Sequence, residues 1–258
     1  NAVPSSQQTA HRRAVGLAIL PAVVFALIYL YVWLRIDPRL VYHQQCPIFM
    51  IGSVFFERFL DHPGGLVEYL SGLLAQAYTY PWAGALIVTS AAGLICLATR
   101  SFIAKMGGTR VQVLYLVPAI PLLVLHNRYD YPLAADVGLL LALLFLNVYI
   151  RVFPGRPALR FIVFAPLSAV LYYVAAGPCL LFMLLCALFE LLTRERLYLG
   201  LLYLLFVPVA PYVAGRFVFD VDLIGAYAHL LPFHPNVAPS MASLVLYGFF
   251  PLVAVLVP

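Results

Sequence analysis

Pro132–Ile150 reads PLAADVGLLLALLFLNVYI, and this stretch decides the fold. Apart from Asp136 and Asn147 it is apolar on every face of a helix, and its length suits one bilayer crossing, which takes about 20 mostly apolar residues. Similar runs flank it at 14–34, 82–99, 112–127, 161–176, 178–193, 197–214 and 241–258. The 258 residues are 64% hydrophobic and 10% charged, against roughly 45–50% and 25% in ordinary soluble domains. Mean hydropathy is +0.99. A soluble globule is excluded. A closed outer-membrane barrel is excluded too, because its strands alternate polar and apolar residues with period two. The expected architecture is all-α: a polytopic helical membrane protein with about eight transmembrane helices, forming a single domain over 1–258. The chain opens at Asn1 without Met and stops at Pro258 inside an apolar run, which reads as a portion incomplete at the C-terminus. The first apolar run is too long for a cleavable signal peptide and lacks a small-residue cleavage site.

Charge orients the spans. Arg12, Arg13, Arg100, Lys105, Arg110 and the arginines between 151 and 196 fall on one side, and Arg35, Arg39, Arg58, Arg128 and Arg216 on the other. By the positive-inside rule this predicts a bacterial inner-membrane protein with its N-terminus in the cytoplasm. The net charge of +5 is then topological and implies no nucleic-acid partner. Most acids and five of the six histidines fall on the outer side, so any chemistry faces out. Cys96, Cys179 and Cys186 lie inside apolar runs without metal-binding spacing and read as packing residues.

Two outer loops are long, 35–81 and 215–240. The first is too apolar for disorder. Its segments 47–60 and 66–80 are too short to span and read as interfacial or re-entrant helices, forming a hairpin that breaks at Asp61-His62-Pro63-Gly64-Gly65. A weak repeat also shows: Val117-Pro118-x-x-Pro121 matches Val207-Pro208-x-x-Pro211, and at the same offset Asp130 matches Asp220.

Three groups carry candidate chemistry. Asp37, between Arg35 and Arg39 at the end of the first span, could act as a general base or bind a cation, or merely begin a loop whose arginines meet lipid phosphates. Asp61 and His62, with Glu57 and Glu68 on the flanking helices, could converge on a metal or a hydroxyl. They match no specific metal signature, so metal and cofactor stay open, and a solvated polar face is the plain alternative. His126-Asn127-Arg128-Tyr129-Asp130-Tyr131 forms a tight loop before Asp136, whose place inside an apolar run marks it as functional with Arg128 or His126 as partner. Arg128 could instead clamp a phosphate. His229 and His234 lie among prolines and read as loop histidines. No Walker motif, GxSxG, HExxH or GxGxxG occurs, which leaves ATP-driven transport, serine hydrolysis and zinc proteolysis without support.

Phe59-Leu60-x-x-Pro63-Gly64-Gly65-Leu66-x-x-Tyr69-Leu70, followed by Tyr80-Pro81-Trp82, resembles an uncharacterised family of bacterial polytopic membrane proteins. More distantly, one span, an outer carboxylate and a loop with membrane-lying helices are similar to the type-C glycosyltransferase fold, whose members use a lipid-phosphate-linked sugar donor. The resemblance implies a catalytic acid at Asp37 or, less directly, Asp61. It implies membrane lipids and a polyprenyl-phosphate lipid as partners, with Arg128 on the phosphate and Glu57, His62 and Glu68 lining an acceptor groove near His126, Asp130 and Asp136. The alternatives are a non-catalytic subunit anchoring a larger membrane complex with other membrane-protein subunits, and an ion-coupled transporter built on Asp136.

Overall fold

The computed structural model describes residues 19–45, 49–107, 113–152, 157–192, 197–232 and 240–257, and no strand occurs among them. Five helices are long and apolar enough to cross a membrane. They are α1 (Ile19–Ile36), α5 (Pro81–Lys105), α7 (Leu133–Val152), α8 (Pro157–Ala175) and α10 (Leu197–Ala214), the last continued by a π-helical turn to Phe219. Three further apolar helices fall where spans are expected but are shorter: α6 (Ala119–His126), preceded by a tight turn from Leu114, α9 (Pro178–Leu192) and α12 (Met241–Leu256). The expected helices are therefore present, while five rather than eight have spanning length. The protein is a membrane-associated helical protein.

Helix α9 is the axis of the bundle. It packs on α7, α8, α10 and α12, and its Cys179, Phe182, Met183 and Cys186 are fully buried. All three described cysteines are buried free thiols, as packing residues should be. A smaller core joins α1 and α2 (Pro38–Gln45) to α5 through Val32, Ile36, Val41, Ala85 and Val88. Leu27 and Leu34 on α1 and Leu201 and Leu205 on α10 lie exposed. Such a long apolar surface is stable where its solvent is hydrocarbon.

Three polar side chains inside the bundle donate to nearby main-chain carbonyls. Thr99 donates to the Ile95 carbonyl and Ser168 to the Phe164 carbonyl, one turn back. The Asn147 amide donates to the Ala98 and Leu143 carbonyls, tying α7 to α5.

The predicted hairpin is a helix–turn–helix of α3 (Ser53–Leu60) and α4 (Gly65–Ala75). Tyr69 wedges between Phe49, Phe56 and Phe59 with ring centroids 4.8–5.6 Å away. Helix α4 also packs against α7 and α8, so the hairpin is part of the bundle rather than an appendage. The two Val-Pro-x-x-Pro segments adopt different structures. Pro118 caps the short α6, whereas Pro208 and Pro211 lie inside the long α10. A different likeness appears instead. Both α1 and α10 end in a π-helical turn stopped by an aspartate at positive φ, Asp37 at 51° and Asp220 at 49°.

Candidate functional site

The hairpin turn, the turn between α8 and α9, and the segment after α11 (Leu223–Ala228) meet at one end of the bundle. Main-chain hydrogen bonds hold them together: Gly64 donates to the Tyr173 carbonyl at 2.8 Å, and Gly177 donates to the His229 carbonyl at 3.0 Å. The Tyr172 hydroxyl adds a bond to the Ala226 carbonyl. Gly64 sits at φ +89°, and a Cβ there would lie 2.9 Å from the His229 ring. Only glycine fits both demands. The Pro-Gly-Gly motif is therefore shaped around a histidine some 160 residues away in the chain.

At this junction Glu68, in the first turn of α4, reaches two histidines. Its Oε2 lies 2.9 Å from His62 Nε2 and its Oε1 lies 3.1 Å from His229 Nε2. The two imidazoles stand edge to face with centroids 5.8 Å apart. All three side chains are about one-third exposed. Burial alone would raise the Glu68 carboxyl, but the contacts from His229 and His62 outweigh it and hold the group below its ordinary value, so it is ionised at neutral pH.

Glu68 and His229 line a cavity of about 230 Å³ together with Arg128, Asp130, Tyr131, Leu231 and Ser243. Arg128 approaches Asp130 as a fork, Nη2 at 3.0 Å and Nε at 3.2 Å. The loop carrying them is anchored from α1 and α2: Tyr31 donates to Asn127 Oδ1, and the Gln45 amide donates to the Tyr129 and Tyr131 carbonyls. Behind this wall Asp136 is buried at the start of α7, with Oδ2 at 2.7 Å from His126 Nε2 and Oδ1 accepting from the Tyr131 hydroxyl at 2.8 Å. Of the two partners expected for Asp136, His126 takes it and Arg128 turns to Asp130. Burial and the Asp136 carboxylate both push the Tyr131 phenol upward, so it stays protonated and donates.

The expected residues thus divide. Glu68, Arg128 and Asp130 share the cavity lining, His62 joins them through Glu68, and His126 and Asp136 stand directly behind. Glu57 and Asp61 are exposed and make no ion pair among the described residues. Asp37 does not line the cavity. Both its oxygens are engaged by Arg39, whose hydrogen bonds lower the carboxyl from its ordinary value. His234 lies outside the described residues.

Two features escape a reading of the sequence. His229 sits among prolines and looks like an ordinary loop residue, yet it completes the Glu68 cluster. At the opposite end of the bundle, Arg160 of α8 and Glu190 of α9 form a fully buried ion pair. The Tyr149 hydroxyl donates to Glu190 Oε1 at 2.7 Å and lies 3.1 Å from the Tyr203 hydroxyl. The guanidinium lies over the Tyr149 and Phe189 rings. Glu190 stands in an apolar run just as Asp136 does, and that signal could have marked it.

A family of unknown function, DUF6057, matches residues 12–258. The chain belongs to that family. No curated protein and no solved structure matches it.

Proposed function

Since family membership carries no activity, we propose from the geometry that the protein binds a lipid-phosphate-linked substrate at the hairpin end of the bundle and acts on it in the manner of a glycosyltransferase. The observation that carries this reading is the cavity in which Arg128 faces Glu68 and His229. At about 230 Å³ it is smaller than the roughly 300–1,000 Å³ of drug-sized pockets, which suits a headgroup whose chain stays in the bilayer. A guanidinium fork matches phosphate bidentately, and Asp130 holds Arg128 at the cavity until phosphate replaces it.

In a transfer step the acceptor hydroxyl gives up its proton, its oxygen forms the new bond to the sugar, and the lipid phosphate leaves with the electron pair of the broken C–O bond. Asp61, exposed beside His62, is better placed to take the proton than Asp37, whose oxygens are held by Arg39. Glu68, with His62 held against it, borders the acceptor side. The test is binding of a labelled polyprenyl phosphate to the full chain in lipid nanodiscs. Arg128→Gln lowers affinity by about 10-fold, the loss of one charge-assisted pair. Asp61→Asn abolishes sugar transfer, while Asp37→Asn leaves it intact. Binding by Arg128→Gln equal to wild type overturns the reading.

The buried His126–Asp136–Tyr131 group favours a second reading, an ion-coupled transporter, since an ionisable residue within a span is functional by default. Loss of proton-coupled uptake in Asp136→Asn, with polyprenyl phosphate binding retained, selects it.

A further inference from the structure

We infer that His62, Glu68 and His229 form a binding site for one divalent transition-metal ion, and that this ion joins the hairpin turn to the segment after α11. The donor atoms are already gathered: one imidazole nitrogen from each histidine and a Glu68 oxygen all lie within 4.8 Å of one another. In a tetrahedral zinc site, with metal–ligand bonds of about 2.0–2.2 Å, neighbouring donors stand about 3.3 Å apart. The two histidine–carboxylate separations here are 2.9 and 3.1 Å, one to each oxygen of Glu68.

The donor set selects the kind of metal. Two imidazoles and one carboxylate suit zinc, cobalt or ferrous iron, whereas magnesium and calcium prefer shells made of oxygen. Three protein ligands leave a coordination position open, as catalytic rather than structural zinc sites do. Because Glu68 and His229 line the Arg128 cavity, that position falls to a water or a phosphate oxygen. This last step rests on the function proposed above; the metal site does not.

Two non-glycine residues beside the cluster, Ala176 and Leu230, hold strained left-handed backbone, next to a glycine in the same region. Gly64, Ala176 and Leu230 all adopt positive φ, at 89°, 48° and 61°. They belong to the three segments that meet at His229, and such strain persists where surrounding structure holds a site in place. Tight approach of Gly64 to the imidazole limits where that ring can go. Positioning of this kind serves a ligand atom better than it serves a solvated histidine.

The experiment uses the full chain in nanodiscs, stripped with a chelator, loaded with Zn²⁺ or Co²⁺ and passed through gel filtration. Wild type retains one ion per chain, and its cobalt form shows the visible bands of a four- or five-coordinate centre. Glu68→Gln, His62→Asn and His229→Asn each weaken binding by at least about 10-fold, with helical circular dichroism unchanged, and Asp37→Asn binds as wild type. Zinc-edge X-ray absorption of wild type alone reports two imidazoles, so the site is testable even if a variant fails to fold. A wild type that keeps no metal, or a Glu68→Gln chain that keeps as much, overturns the inference and leaves a carboxylate set between two imidazoles only. Arg128→Gln separates the two proposals, because it keeps the metal while losing polyprenyl phosphate. Absent metal with Arg128-dependent lipid binding removes the metal site alone, and bound metal with Arg128-independent lipid binding removes the function alone.

Discussion

Two clusters, each built on a glutamate, occupy opposite ends of the bundle, and they differ in their partners and in what surrounds them. At one end Glu190 meets Arg160, Tyr149 and Tyr203 with no exposure of either charge. At the other, Glu68 meets His62 and His229 with about a third of each side chain open, beside a cavity. The sealed pair has nowhere to admit a ligand, so its work is to join α8, α9, α7 and α10. The open cluster gives little to stability and has a free approach for a ligand. Burial and partner type together separate scaffold from site.

Substituting each carboxylate tests that contrast, and the largest effect belongs to the sealed end. Glu190→Gln leaves the Arg160 guanidinium buried and uncompensated, which costs about 3–5 kcal/mol. Thermal unfolding in detergent reads this directly, and replacing both partners with apolar residues recovers most of it. Glu68→Gln, at a partly open site, costs less than about 1 kcal/mol. Equal costs at the two ends would break the comparison. Between them lies Asp136→Asn, which removes the charge from two buried hydrogen bonds and costs about 2 kcal/mol by the same measurement.

Gly64→Ala sharpens the contrast from the backbone side. Its positive φ and the 2.9 Å approach to His229 make the change unfavourable by about 1–2 kcal/mol, and hydrogen exchange locates the loosening at the hairpin turn and residues near 229. The smallest effect is at Asp37. Its carboxyl is lowered by Arg39, so the pair's contribution is present above the ordinary aspartate value and is lost as pH falls through the lowered one. Arg39 is exposed, so Asp37→Asn has the smallest effect of the set on thermal unfolding at neutral pH. The difference from wild type vanishes in acid.

The apolar helices and the hairpin break were legible because both are written in neighbouring residues: a long apolar run needs no distant partner, and Pro63-Gly64-Gly65 cannot continue a helix. Chain patterning also marked Asp136, since a carboxylate inside an apolar run stands out. Helix length was harder to read. Pro118 precedes α6 and shortens it, although the apolar run extends further back. His229 was illegible for a different reason. Its role depends on a contact with Glu68 across most of the chain, and no local pattern distinguishes it from a solvated loop residue. Arg160 is masked likewise, because near the end of a span it reads as one more topological charge until its partner on α9 is seen.

The main-chain bonds from Gly64 to Tyr173 and from Gly177 to His229 have a consequence for substitution. Peptide groups make them, so exchanging side chains at Tyr173 or His229 leaves the joints themselves standing. The shape of the junction is therefore set apart from the chemistry its side chains present. The two glycines have no such freedom, because a Cβ at Gly64 would meet the His229 ring at 2.9 Å and one at Gly177 the His229 carbonyl at 2.5 Å.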